Sequence, residues 1–331
     1  VRERLHLLPY QAGAAVVAAI VLTAPGFAQD AYPNQSIKII VPFSAAGGTD
    51  ITARLLGEQL RAALGQPVVV DNRPGNAGMI GTRAVAKAAA PDGYTLLVAS
   101  GEMAVNPHLY KVMPYDWEKE LAPITNLVTV PSVIVVNADV PARNVQELIA
   151  YAKANPKTVS YGSTGAGGMT HLGMELFNKM AGVQVNHVPY KGAAQQLADV
   201  AGKHITMTLS SIGATLPLIE GGKVKAVGVT SLARVSTLPN VPAVAEYPPL
   251  AGYEFINFFG FYGPAGMPDA VMRKLNVAAV QGFRNAELGA KLRDLGFEPS
   301  TSAPEQFREF VRARSRQFAK IIVDANVQIE Q

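Results

Sequence analysis

Two stretches of this chain place backbone amides and hydroxyls where they can hold an anion. The first is Pro42-Phe43-Ser44-Ala45-Ala46-Gly47-Gly48-Thr49-Asp50. The second is Gly162-Ser163-Thr164-Gly165-Ala166-Gly167-Gly168-Met169-Thr170-His171. Each joins a strand pattern to a helical one. Glycine lets backbone approach a ligand closely. A helix start adds unpaired N–H groups and the positive end of its dipole. Together these make an anion site without any cationic side chain. Read singly, either loop is also explained as a tight turn with a helix cap. The pair is more informative, because facing loops can grip a small acid from both ends. The candidate ligand contacts are Phe43, Ser44, Ala46, Gly47, Gly48, Thr49 and Asp50 in the first loop. In the second they are Ser163, Thr164, Gly165, Ala166, Gly167, Thr170 and His171, joined by Tyr190 and Ser210.

Other reactive side chains point less clearly to chemistry. Asp50 would repel a bound carboxylate, so it is expected to stabilise the helix start, or to act through water or a ligand ammonium. His171 and Glu175 are four residues apart on a helical pattern, but no third metal ligand accompanies them. A packing or hydrogen-bonding histidine is the expectation, and no metal. Arg73 and Lys191 are candidate partners for an acid, against the ordinary role of solvated loop cations. Ser210 and Ser211 end a strand, where a turn role competes with a place in a cleft. Neither loop fits Gly-x-Gly-x-x-Gly or a Gly-Lys-Ser/Thr phosphate loop. Gly162-Ser163-Thr164-Gly165 is not a Gly-x-Ser-x-Gly nucleophile elbow. The chain has no cysteine, which excludes thiolate nucleophiles, disulfides and Cys-ligated zinc. No cofactor is expected.

The elements that must position these loops alternate between β and α. Ile37–Val41 is a β-branched run, and Ile51, Leu55, Leu56 and Leu60 fall on one face of a helix over Thr49–Leu64. Val68–Val70, Tyr94–Ala99, Ser132–Val136, Val159–Tyr161, Val185–Val188, Ile205–Leu209 and Lys225–Val229 read as strands. Met79–Ala90 reads as a helix, and Asn144 caps a helix over Val145–Ala154. Another helix follows the second loop to about Met180. From Pro268 the chain is nearly all helix, ending in Pro304–Val327. The aromatic group from Phe255 to Tyr262 reads as core and inter-lobe packing. This alternation predicts doubly wound, mostly parallel sheets with helices on both faces. An internal echo supports two lobes. Residues 41–75 and 159–192 each read strand, glycine loop, helix, glycine, strand, with Gly47-Gly48 and Gly167-Gly168 in the same place. The expected division is lobe 1 over 29–131 plus 254–331 and lobe 2 over 132–253.

Composition narrows the class further. A chain of 331 residues with 49% hydrophobic and 16% charged residues is long enough for two domains and too apolar for disorder. The net charge is only +4, and the basic residues form no block, so nucleic acid is not an expected partner. Arg2 and Arg4, the apolar run Ala12–Leu22 and the small residues of Gly26-Phe27-Ala28 follow the plan of a cleavable signal peptide over residues 1–28. An uncleaved anchor is the alternative, disfavoured by the short apolar run. The expected compartment is the periplasm.

In order along the chain come Ile39-Ile40-Val41-Pro42-Phe43, Gly65-Gln66-Pro67-Val68-Val69-Val70, Asn72-Arg73-Pro74-Gly75 and Pro91-Asp92-Gly93-Tyr94-Thr95-Leu96-Leu97. They are followed by Asn106-Pro107-His108-Leu109-Tyr110, Tyr161-Gly162-Ser163-Thr164-Gly165, Val188-Pro189-Tyr190-Lys191-Gly192 and Gly263-Pro264-Ala265-Gly266. In these blocks the chain resembles the Bug family, the TctC-like periplasmic receptors of tripartite tricarboxylate transporters. The resemblance implies a two-lobed, flytrap-like α/β binding protein whose glycine loops are the ligand pincers. It implies a carboxylate ligand, often held through water, and delivery to a membrane permease. Three departures are visible: Ala46 where the family usually has glycine, Thr206 and Ser210 where acidic residues are common, and a short segment at Ser100-Gly101-Glu102-Met103. The leading expectation is a monomeric receptor for a small mono- or dicarboxylate, aromatic acids included. The alternatives are a ligand-presenting subunit of a membrane sensor and an enzyme acting on a small acid.

Overall fold

A computed structural model describes residues 32–190 and 192–327. The signal-peptide reading of residues 1–28 and the reading of Lys191 lie outside these described residues. Along the chain the elements are β1 (Ile37–Val41), α1 (Gly48–Leu64), β2 (Val68–Asn72), α2 (Met79–Ala86), β3 (Thr95–Ser100), α3 (Glu102–Leu109), α4 (Trp117–Glu120) and β4 (Leu121–Asn137). Then come α5 (Val145–Ala154), β5 (Ser160–Ser163), α6 (Met169–Ala181), β6 (Asn186–Pro189), α7 (Ala193–Ala201), β7 (Met207–Ser211), α8 (Ile212–Glu220) and β8 (Val224–Val229). The last are β9 (Ile256–Pro264), α9 (Asp269–Phe283), α10 (Ala286–Asp294), β10 (Glu298–Pro299) and α11 (Pro304–Asp324).

The strands lie in the order β2-β1-β3-β9-β4-β7-β5-β6, with β8 and β10 also paired to β4. The outer groups β2-β1-β3 and β6-β5-β7 are parallel. Between them, β9 and β4 run antiparallel to their neighbours. The sequence reading had only Ser132–Val136 of β4, because Pro123 and Pro131 interrupt its apolar run. Both prolines are accommodated in a strand of 17 residues, and the β4–β9 register shifts between Pro123 and Thr125. β4 also changes partners. Up to Pro131 it pairs with β9, and from Ser132 onward with β7 and β8. Thr230 fastens this point: its Oγ1 accepts from the Ser132 N–H at 2.9 Å, while its own N–H donates to the Ser132 carbonyl at 2.9 Å.

Parallel strands of a βαβ unit send their carboxyl ends, and the loops after them, to one edge of the sheet. The loop after β1 enters α1, and the loop after β5 enters α6. Both helices end on a left-handed glycine, Gly65 (φ 73°) and Gly182 (φ 61°), where a side chain would be strained. Two short helices were absent from the sequence reading: α3, which contains Pro107, and α4. The helix expected over Met79–Ala90 stops at Ala86.

The core is packed to the limit at β9. Gly260 pairs with Ala99 on β3 and Asn126 on β4, and a Cβ there would lie 2.2 Å from the Phe307 ring and 2.8 Å from that of Tyr262. All flanking positions are buried aromatics, so the rings cannot withdraw cheaply. Gly260→Ala should therefore cost about 1–3 kcal/mol of stability. Urea unfolding measures this, and an unchanged midpoint would contradict the packing.

Candidate functional site

The two glycine loops share one construction. In the first, Gly47 is the N-cap of α1 at φ −79°, ψ 165°. In the second, Gly168 is the N-cap of α6 at φ −70°, ψ 166°. The residue before each cap has positive φ: Ala46 at 65° and Gly167 at 74°. That residue turns its N–H to the side chain at the third helical position. The Ala46 N–H donates to Asp50 Oδ2 at 2.9 Å, and the Gly167 N–H donates to His171 Nδ1 at 2.9 Å. Asp50 and His171, read separately in the sequence, hold the same station in the two loops. The loops are offset by one residue, because the first glycine of one pair caps its helix and the second glycine of the other does.

Asp50 is 2% exposed. It also accepts from Arg54 Nε and Asn72 Nδ2, each at 2.9 Å, and Asn72 donates to the Phe43 carbonyl at 3.1 Å. Burial alone would raise the Asp50 pKa. The hydrogen bonds from Arg54, the Ala46 N–H and Asn72 outweigh it and hold the carboxyl below the usual aspartate range. A stable carboxylate thus fastens both ends of the loop.

The second loop is braced by hydroxyls and imidazoles. The Thr164 N–H donates to Thr170 Oγ1 at 2.8 Å, and the two threonine hydroxyls are 3.0 Å apart. The Gly165 N–H donates to Ser163 Oγ at 3.2 Å, and the Tyr190 N–H to the Ser163 carbonyl at 2.9 Å. Ser163 Oγ lies 2.6 Å from His187 Nε2 and is fully buried, so this serine–histidine contact offers no exposed nucleophile. The His171 and His187 rings stack at 4.0 Å with an 8° interplanar angle. Burial pushes both imidazoles down to about 4, and for His187 the neighbouring His171 charge adds to it. Nδ1 of His171 must stay unprotonated to accept from Gly167. Tyr190 packs beside Gly162, and its hydroxyl donates to Asp199 at 2.7 Å.

With the outer amides used inside the loops, the amides left over are those of the first helical turns. Residues of these first turns line a cavity of about 380 Å³. Its lining includes Gly48 of α1, Met169 and Thr170 of α6, Ala193 of α7, and Ser211, Gly213 and Ala214 at the start of α8. Four helix N-termini therefore contribute to one space. Ile51, Val130, Leu209, Phe255, Phe259 and Phe297 supply apolar wall, and Ser132, Ser210, Asn257 and Asp294 supply polar groups.

Of the residues chosen from sequence, Gly48, Thr170 and Ser210 line this cavity. Ala46, Gly47, Asp50, Gly167 and His171 form the braces behind it. Ser163, Thr164, Gly165 and Tyr190 belong to the network under the second loop. Thr49 is buried on α1, Ala166 is exposed at the loop tip, and Phe43 packs toward Gly78. Ser44 lies exposed in the first loop, with its carbonyl facing Gly47. The sequence reading missed Asn72, His187, Ala193, Gly213, Asp294 and Phe297. Only the position of Ala193 after Gly192, at the start of a helical run, offered a signal. Among the described residues no group of three or more His, Asp or Glu is arranged to hold a metal.

Fold and site together define the periplasmic-binding-protein class, and comparison with known proteins narrows it. Residues 52–327 match the family described as "Tripartite tricarboxylate transporter family receptor" (TctC). The chain belongs to that family. It is 33% identical to protein BugT of Bordetella pertussis over 306 residues, covering 91% of this chain and 92% of BugT. Among solved structures it is similar to an R. palustris protein with adipate, at a TM-score of 0.80 and 32% identity over 90% of this chain and 99% of that one. It is also similar to MatC of Rhodopseudomonas palustris with bound malate, at a TM-score of 0.74 and 25% identity over 88% of this chain and all of the other (100%). These neighbours are solute-binding receptors, and this chain is a receptor of the same kind rather than an enzyme.

The stacked imidazoles give the fold a pH dependence. Their folded pKa, about 4, lies below the ordinary histidine value of 6.5. Between those limits the unfolded chain binds more protons, so stability falls as the pH drops from about 6.5 to about 4. The slope is at most about 1.4 kcal/mol per pH unit for each ring. Urea titrations across that range should show it, and His187→Gln should lower the slope. A flat profile would contradict the buried neutral pair. A second expectation concerns Ala46, held at φ 65°. Ala46→Gly should stabilise the protein by roughly 1 kcal/mol, read as a higher urea midpoint, because glycine accepts this conformation without the Cβ penalty.

Proposed function

We propose that this protein is a periplasmic receptor that captures a small carboxylate and delivers it to the permease subunits of a tripartite tricarboxylate-type transporter. One observation carries the reading: the N-termini of α1, α6, α7 and α8 all open on the same cavity. Each contributes amide hydrogens and a partial positive charge, so an anion placed there is stabilised without a counter-ion. At about 380 Å³ the space lies near the lower end of the roughly 300–1,000 Å³ usual for small-molecule sites. A single metabolite fits it. The carboxylates bound to the R. palustris neighbours support the ligand class, and the family description supports the transport role.

In this reading the protein works as two lobes, 29–131 with 254–331 and 132–253, hinged where β4 exchanges β9 for β7 and β8. The first loop, with α1, belongs to one lobe and the second, with α6, to the other. The proposed contacts are the first-turn amides of α1 and α6 at Gly48, Met169 and Thr170 and the hydroxyls of Thr170 and Ser210, with the rest of the two loops and Tyr190 holding them in place. Closure adds contacts from the second lobe, so ligand shifts the population toward the closed form. At the cavity rim Gly213 of α8 lies against Leu295 after α10. A Cβ on Gly213 would lie 2.5 Å from the Leu295 carbonyl oxygen.

Thermal unfolding with a panel of mono-, di- and tricarboxylates tests the function. A bound acid stabilises by RT ln(1 + [L]/Kd), so Tm should rise with its concentration. A flat response to the whole panel would remove the reading. Gly213→Val should hold the rim apart and weaken the acid by about tenfold or more, with a wild-type circular-dichroism spectrum showing that the fold is kept. Undiminished affinity in that variant would contradict closure at this contact.

A further inference from the structure

The cavity is chemically lopsided. Four helices bring their N-termini to it, but α10 brings its other end. Asp294 is the last residue of α10 and Leu295 its C-cap, and both line the space. The C-terminus of a helix carries the negative end of its dipole, so the carboxylate of Asp294 and the dipole reinforce one another. Asp294 is exposed at the rim, makes no ion pair among the described residues, and is the only charged side chain among the described lining residues. Anything anionic near α10 meets repulsion from both sources.

The wall beside the start of α1 is aromatic. The Phe259 and Phe297 rings meet edge to face at 5.5 Å and 88°. They are packed directly on Gly48: a Cβ there would lie 2.9 Å from Phe259 and 3.0 Å from Phe297. A carboxylate seated on the α1 amides therefore has phenyl rings against the carbon skeleton that follows it. Phe255, Met169 and Leu209 extend the apolar wall. Polar groups on the ligand body would lose water there and gain little.

We infer that this receptor selects acids with one carboxylate on an apolar body, and that Asp294 at the C-terminal end of α10 is the residue that rejects a second carboxylate. The inference rests on the receptor reading above and narrows its substrate class. It assigns opposite tasks to the two kinds of helix end. The N-termini receive the single negative charge, and the α10 terminus keeps a second negative charge from the far end of the ligand. The rings fix the apolar body between them.

Isothermal titration at neutral pH with acids of one skeleton tests this. The probes are hexanoate, adipate and 6-aminohexanoate, against the wild-type protein and Asp294→Asn. Hexanoate should bind at least about tenfold more tightly than adipate, since like charges at close range are strongly disfavoured. Asp294→Asn lies at an exposed helix end and should leave Tm unchanged. It should raise adipate affinity several-fold, by a clearly larger factor than it raises hexanoate affinity. Adipate binding as well as hexanoate would overturn the single-charge selection. An adipate affinity unmoved by Asp294→Asn would overturn the role of Asp294. Tighter binding of 6-aminohexanoate than of hexanoate would overturn the apolar far end. Benzoate and terephthalate repeat the comparison on a rigid skeleton, so that a poor fit of the six-carbon chain is not mistaken for charge selection. If dicarboxylates bind and neither hexanoate nor benzoate does, this inference fails and the receptor reading stands. If no carboxylate of the panel binds, both fail.

Discussion

In the proposed function, the organisation of this protein follows from the cost of taking an anion out of water without a cation to meet it. Unpaired amides at a helix start can do the work of that cation, but only if they remain unpaired and fixed in direction. The brace from the residue before each N-cap to the side chain at the third helical position secures both conditions. It consumes the amide that would otherwise wander and leaves the first helical turn open. In one loop the acceptor is a buried carboxylate, in the other a neutral imidazole. Their differing chemistry gives them differing acid sensitivity: the hydrogen bonds to Asp50 hold its carboxyl below the usual aspartate range, while protonation of His171 removes the acceptor.

The sheet sets where those braced turns lie. Parallel pairing of β1 with β2 and β3, and of β5 with β6 and β7, brings both loops to the carboxyl ends of strands. β4 joins the two groups as one continuous strand with different neighbours on either side of Pro131. In the proposed two-lobed reading, a strand held by separate partners at each end can transmit a rotation between them while losing few ladder hydrogen bonds. The Ser132–Thr230 pair marks that middle.

Much of this was legible in the sequence, for definite reasons. Glycine at a loop, apolar spacing in the following helix and a second glycine at its end announce a βαβ unit locally, and two copies in one chain announce its repetition. One cap with a side-chain hydrogen bond was equally plain, Asn144, whose side chain accepts from the Glu147 N–H, whereas those at Asp116 and Asn285 were not. The long β4 was not legible, because prolines mask a strand whose ladder tolerates them. β9 was read only as aromatic packing, since its residues are buried on both faces and show no alternation. The cavity was legible in part. Gly48 and Thr170 are local consequences of helix starts, whereas Asp294 and Phe297 arrive from a segment far along the chain, and nothing in their own neighbourhood marks them. The shared station of Asp50 and His171 was hidden for a related reason: equivalence lay in the backbone, and the two side chains have nothing in common.

The central claim is that a carboxylate is held by main-chain amides at the starts of helices from both halves of the sheet. A crystal structure of the protein with a bound acid measures this directly. The account predicts carboxylate oxygens about 3 Å from N–H groups in the first turns of α1 and α6, directly or through one bridging water. A carboxylate paired instead with lysine or arginine side chains outside this cavity would contradict it.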